Sequence, residues 1–257
     1  MAARKSTVHL PTGYRLISCD SVGSTNDEAK RLALAGEESG AVLWAREQTA
    51  GRGRRGRPWV SPPGNLYCSL LLKADWPPFR ASQLSFVTAL GVCEAIDQLV
   101  DRPRVRCKWP NDVLMQGRKL AGVLLESASE QSGQVDWLVL GLGVNIVSHP
   151  ELPDGDAATD IKTETGVELG VQELLEAFVG CFDNRRRGWE AAGFGPIREA
   201  WLERAEGLGE MVRVTIDNEE VDGRFDDLAE TGELVLVLAN GERRRLSAGD
   251  VRYLRAA

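Results

Sequence analysis

Seven consecutive residues, Gly51-Arg52-Gly53-Arg54-Arg55-Gly56-Arg57, contain four arginines and three glycines, and Pro58-Trp59 follow them. Left unpaired, the guanidinium groups would repel one another. The physical use for such a segment is to close over an anion, with glycine letting the backbone approach and arginine supplying charged, forked donors. The string also fits G-x-G-x-x-G, but a dinucleotide loop must open a helix whose N-terminus receives the pyrophosphate. Pro58, Pro62, Pro63 and Gly64 forbid that helix, so the dehydrogenase reading fails. A nucleic-acid loop would have only Trp59 for stacking, against a net charge of −7. A plain solvated loop remains the bland alternative. The interleaved glycines and the flanking Gln48 and Trp59 count against it.

Other chemistries are narrowed by what the chain contains. Cys19, Cys68, Cys93, Cys107 and Cys181 are odd in number and never spaced as CxxC, which disfavours a disulfide framework or a zinc site and suits a reducing, cytoplasmic compartment. With His9 and His149 as the two histidines, an imidazole-based dyad is a poor candidate. No run has the length of a membrane span or the form of an export signal; the apolar stretch from Trp137 to Val147 is broken by glycines and Asn145. The acidic balance disfavours anionic membranes and nucleic acid as partners, except through local clusters. The triplets Arg185-Arg186-Arg187 and Arg243-Arg244-Arg245 read as solvated charge.

The elements that must position this loop can be read coarsely. Ser24 to Ala35 forms a short helix: Ser24 caps it, an acid follows three positions on, and Ala29, Leu32 and Ala33 give the apolar spacing. Strands are expected at 41–45, 65–72, 105–109 and 135–146, with a hairpin over 112–126 turning at Gln116-Gly117. The arginine-rich segment is a long loop between two strands. Helices are expected over 82–100, 171–192 and 196–206. Beyond a boundary near Gly207, short β-like runs at 212–216, 221–225, 234–238 and 243–246, with Asn240-Gly241 as a turn, suggest a small β-barrel module. Two domains, 1–207 and 208–257, are therefore expected.

Five blocks resemble biotin–protein ligases, in the family's order and over about 120 residues: Ser24-Thr25-Asn26; Gln48-Thr49-Ala50 running into the arginine loop; Lys108-Trp109-Pro110-Asn111-Asp112; Arg118-Lys119-Leu120-Ala121-Gly122; and Gly141-Leu142-Gly143-Val144-Asn145. The resemblance implies an α+β fold: a class II synthetase-like catalytic domain with a mixed central sheet and flanking helices, followed by an SH3-like barrel. It implies a monofunctional ligase that forms biotinyl-AMP from biotin and ATP, with Mg²⁺, and transfers biotin to a lysine of a biotin carboxyl carrier domain. The family often dimerises through the core sheet. Only 23 residues precede Ser24, too few for the helix-turn-helix of the family's repressors, so no sequence-specific DNA binding is expected. A lipoate or octanoate ligase or transferase of the same superfamily is the alternative, which the Arg-Gly loop with KWPND and RKLAG disfavours.

Residue by residue, the resemblance implies a biotin site made by Ser24, Thr25, Asn26, Gln48, Gly51, Arg52, Gly53, Arg54, Lys119, Gly122, Leu124, Gly141 and Gly143. It implies an ATP site made by Arg52, Arg54, Arg55, Arg57, Trp59, Lys108, Asn111, Asp112, Lys119 and Asn145, with Lys119 and Arg54 catalytic. The chemistry fits these assignments. Two anions must meet, so positive charge is the chief requirement. The hydroxyls and amides of Ser24, Thr25, Asn26 and Gln48 match a neutral urea, which must have every polar atom satisfied when buried. Taken alone, Lys119 reads as a surface lysine on a hairpin; the family match and the small, apolar Leu-Ala-Gly beside it reverse that. Asp112 stands between a magnesium ligand and a turn cap. Trp59 is a candidate adenine-side wall and Asn145 a candidate nucleotide contact. Arg252 and Arg255 are candidates for the family's phosphate-binding basic residue near the chain's end.

Overall fold

The computed structural model describes residues 8–73, 76–129, 133–151, 157–217 and 219–254. Seven strands form one sheet: β1 (Arg15–Val22), β2 (Ala41–Gln48), β3 (Leu66–Leu72), β4 (Val105–Lys108), β5 (Asp112–Met115), β6 (Arg118–Ser129) and β7 (Val135–Val144). Their order is β1-β2-β3-β7-β6-β5-β4; β1 and β2 pair in parallel and the other neighbours antiparallel. The helices are α1 (Thr25–Leu34), α2 (Pro78–Ser82), α3 (Leu84–Leu99), α4 (Ile161–Thr165), α5 (Val171–Ala192) and α6 (Gly195–Glu203).

Strand alternation decides what each face of the sheet does. Leu66, Cys68, Leu70 and Leu72 of β3 and Leu138, Leu140, Leu142 and Val144 of β7 point to one side. There they pack with Leu84, Val87, Leu90 and Ile96 of α3 and Leu175, Phe178 and Phe182 of α5. Because α3 is apolar nearly all round, it lies inside rather than on the surface. The intervening positions, Leu71 and Val139, meet Ala29 and Ala33 of α1 on the opposite side. That face is covered by a single short helix. Where α1 ends its cover, Gly141, Gly143 and, by register, Gly122 and Leu124 are left as the floor of a groove, with Ser69 buried beside Gly141.

Two strands were not expected. β1 is an edge strand with only partly buried side chains, so its sequence lacks a clean apolar alternation. The other is β12 (Asp250–Tyr253), four residues in the second sheet. That sheet is antiparallel, in the order β11-β10-β9-β8-β12, with β8 (Met211–Ile216), β9 (Glu219–Leu228), β10 (Leu234–Val237) and β11 (Arg243–Leu246). The arrangement matches the expected SH3-like module. It joins the larger part through Phe225 against Trp201, through Trp109 Nε1 donating to Gly232 O (3.1 Å), and through Arg198 donating to Asp227 and Leu228 O.

The Arg185–Arg187 triplet corrects its reading as solvated charge. Arg186 donates to Tyr14 Oη (3.1 Å), to the buried Asp183 (2.8 Å) and to Glu190 (2.7 Å); Arg187 also pairs with Asp183 and Arg185 with Glu94. Burial pushes the Tyr14 phenol up to about 12, so it accepts from Arg186 as a neutral group. The triplet therefore bolts α5 to the N-terminal segment and to α3. Arg186→Ala is expected to cost about 2 kcal/mol in a denaturant titration, since it leaves a buried carboxylate short of donors. A loss within error of zero would return the residue to the solvated class.

Candidate active site

The groove has a volume of about 740 Å³. Its floor is glycine for a geometric reason. A Cβ on Gly143 would sit 2.5 Å from the Trp59 ring, one on Gly122 would sit 3.1 Å from it, and one on Gly141 would strike Asn26 Oδ1. Side chains thus lie flat on bare backbone, at one end the Asn26 amide and mid-floor the Trp59 indole.

The Asn26 end is a neutral polar chain. Thr25 N–H donates to Gln48 Oε1 (2.8 Å), Gln48 Nε2 donates to Ser61 Oγ (2.9 Å), and the Ser61 hydroxyl donates to Trp59 O (2.9 Å). The Ser69 hydroxyl lies 2.7 Å from Asn26 Oδ1 and 2.8 Å from Thr25 Oγ1. Ser24 is the N-cap residue of α1 by position, yet its hydroxyl makes no capping bond, which corrects the capping expected from sequence.

The arginine segment is more ordered than a loop. Trp59 N–H donates to Gly51 O and Gly53 N–H to Arg57 O, closing a narrow flap whose tip, Arg54–Gly56, is a single 3₁₀ turn with Arg55 left-handed at φ 56°. Most of its cations are paired with acids: Arg52 with Asp27, Arg55 with Asp217 and Asp250, Arg57 with Asp250. Arg54 is different. Its guanidinium donates to Asn111 Oδ1 (3.0 Å) and to Gly249 O (3.4 Å), both neutral, and among the described residues no carboxylate lies within 4 Å of it. Burial draws its pKa below the usual arginine value, against the pull of Asp250 and Asp112. A half-buried cation with neutral contacts is a site waiting for an anion.

Facing it from β6, Lys119 pairs with Asp112 (2.8 Å) and stands 5.6 Å from the Trp59 ring centroid. Its backbone is fixed twice, by Lys119 N–H to Ala157 O (2.8 Å) and Thr159 N–H to Lys119 O (2.9 Å). Two ammonium- or guanidinium-bearing residues on opposite walls, with a neutral amide pocket beyond them, can receive a small molecule with a carboxylate at one end and a polar, uncharged head at the other.

Comparison with known proteins agrees with that geometry. Residues 18–145 match the Biotin/lipoate A/B protein ligase family and residues 207–252 the Biotin protein ligase C terminal domain. A biotin–[acetyl-CoA-carboxylase] ligase of Paracoccus denitrificans is 40% identical over 219 residues, 83% of this chain and 90% of that one. This chain belongs to the biotin protein ligase family. A ligase of the same description from Mycobacterium tuberculosis is 33% identical over 91% of this chain and 86% of its own. The solved biotin protein ligase of Aquifex aeolicus in complex with biotin and ATP superposes with a TM-score of 0.79 at 30% identity, covering 94% of this chain and 99% of that one.

Against this family frame, the residues expected at biotin or ATP border one groove, with two exceptions. Gly51 lies behind it, where a Cβ would meet Trp59 O and Ser61 Oγ; its role is to let the flap's base close. Arg55 points outward to Asp217 and Asp250. Trp59 lies mid-floor on Gly122 and Gly143. Asn145 is buried and spends its amide N–H on Thr159 O (3.0 Å), pinning the segment that holds Lys119. Arg252 borders the groove, whereas Arg255 lies outside the described residues. Reading the sequence missed Ser69, Glu126 and Asp250. Ser69, a small hydroxyl set among the large side chains of β3, was a signal that could have been used.

Among the described residues no group of three or more His, Cys, Asp or Glu gathers as a metal cage. Asp112, a carboxylate on the groove wall, does fit the sparse set that Mg²⁺ takes when phosphates supply its other oxygens.

Proposed function

We propose that this chain activates biotin with MgATP as biotinyl-5′-AMP and transfers the biotinyl group to a lysine of a biotin carboxyl carrier domain. The observation that carries the reading is Arg54: a half-buried cation that no carboxylate pairs with among the described residues, lining the same groove as Lys119 and the polar side chains of Thr25, Asn26 and Gln48.

In the first step a biotin carboxylate oxygen attacks the α-phosphorus and pyrophosphate leaves. In the second, the carrier amine attacks the anhydride carbonyl and AMP leaves. Lys119 exchanges Asp112 for the incoming carboxylate and then polarises the acyl carbonyl, while Arg54 neutralises charge on the α-phosphate. Arg57 and Arg252 are available to the outer phosphates, and Lys108 and Asn111 line the same end. Asp112 would hold the Mg²⁺, which would neutralise charge on the ATP phosphates. Thr25, Asn26 and Gln48 receive the ureido head. The flap excludes water, which would otherwise hydrolyse the mixed anhydride. The division at residue 207/208, a reducing cytoplasmic location and a dimer through the core sheet belong to the same reading. Among the described residues no helix is long and apolar enough to cross a membrane.

Pyrophosphate–ATP exchange decides the matter: it is expected to require biotin and to ignore lipoate and octanoate. Exchange driven by lipoate instead would transfer the chain to the lipoate branch. Gly141→Ala tests the floor separately. The added methyl displaces Asn26, and overpacking of this kind costs about 1–3 kcal/mol. Calorimetric titration should show that cost as weaker biotin binding with ATP binding retained; equal loss of both ligands would mean general misfolding.

A further inference from the structure

Behind the amide pocket stands a carboxylate that the reaction does not require. Glu126 lies on β6, two residues beyond Leu124 and on the same face of the strand. Its Oε2 accepts from Asn26 Nδ2 (2.7 Å) and its Oε1 from Lys30 Nζ (2.6 Å), with Arg52 Nη2 at 3.8 Å.

We propose that Glu126 is a positioning residue, which fixes the Asn26 amide with its oxygen toward the groove and so selects a ligand head that offers an N–H. This rests on the biotin reading and deepens it.

An amide can be turned either way round unless its partners forbid one orientation. Here both partners on the nitrogen side are acceptors, the Glu126 carboxylate and the Leu124 carbonyl (3.3 Å), so they demand the NH₂. Asn26 Oδ1 is thereby turned to Gly141 and Ser69, where it has a second lone pair for a ureido N–H. Without Glu126 the longer contact to Leu124 O is what remains to orient the amide, and a flipped amide would present N–H to N–H. The same carboxylate stands 3.8 Å from Arg52, whose closer partner is Asp27 of α1.

The test uses steady-state biotinylation of a carrier domain by the full chain. Glu126→Ala is expected to raise the KM for biotin at least tenfold, with kcat and the KM for ATP changed less than threefold. Glu126→Gln, which can still accept from Asn26, should return the biotin KM to within threefold of wild type. A reciprocal pair guards against a variant that fails to fold. Asn26→Asp alone sets two carboxylates against each other and should raise the biotin KM at least tenfold. Combined with Glu126→Gln, whose amide can donate to the introduced carboxylate, most of that loss should be recovered. An unchanged biotin KM in Glu126→Ala, or no recovery in the reciprocal pair, overturns the proposal. Equal losses in kcat and both KM values also overturn it, because a merely structural residue would behave so. A wild-type chain indifferent to biotin would instead sink the functional reading itself.

Discussion

Lys119→Ala is expected to lower biotin-dependent pyrophosphate exchange by roughly 10²–10³-fold, the loss that follows removal of one preorganised charge from a developing transition state. Two effects act together. The carboxylate nucleophile loses the cation that orients it, and Asp112, 2.8 Å away in the structure, is left as an uncompensated negative charge where a triphosphate must enter. Asp112→Asn in the Lys119→Ala background removes that charge but also the carboxylate that would hold the Mg²⁺, so neither ATP affinity nor kcat should recover. Lys119→Arg should recover little of either, since a planar fork does not replace a compact ammonium whose backbone is pinned at Ala157 and Thr159. Exchange by Lys119→Ala at near wild-type rate would remove Lys119 from the chemistry.

Arg54→Gly should leave the chain folded and loosen its hold on the adenylate. The folded chain gains little from Arg54, because its contacts are the neutral Asn111 and Gly249 oxygens. The adenylate gains more: one charge-assisted hydrogen bond in a water-poor site contributes about 1.5–3 kcal/mol, or roughly 10–150-fold in retention. The measurement is the rate at which biotinyl-AMP escapes from the pre-formed complex, followed in the absence of carrier. Unaltered release would deny the flap its function as a lid. Arg57, already paired with Asp250, is expected to show a smaller effect on release and a larger one on the KM for ATP.

Much of the framework was legible in the residues. α5 was read at its observed bounds, and the hairpin of β5 and β6 with its Gln116-Gly117 turn followed from local periodicity and turn chemistry alone. β1 was not legible, because an edge strand alternates between half-buried and exposed positions and carries no strong apolar signal. In the site, the arginine flap and Lys119 announced themselves by composition and family pattern. Ser69, Glu126 and Asp250 did not, for a physical reason: each acts through a partner distant in sequence. Ser69 meets Asn26 across 43 positions, Glu126 meets Asn26 across 100, and Asp250 meets Arg57 across 193. Type and spacing along the chain cannot register such pairs. At Gly51 the pattern left one thing unsaid: a Cβ there would collide with Trp59 O and Ser61 Oγ, so the base of the flap closes only on glycine.

The flap's counter-charge comes from the far end of the chain, where Asp250 at the start of β12 receives Arg57 and Arg55 and the Gly249 carbonyl receives Arg54. During synthesis the ribosome delivers the arginines almost two hundred codons before the acid that steadies them. A nascent polypeptide therefore carries an unrestrained arm through most of translation, and gains a shuttered reaction chamber only after its final sheet has closed.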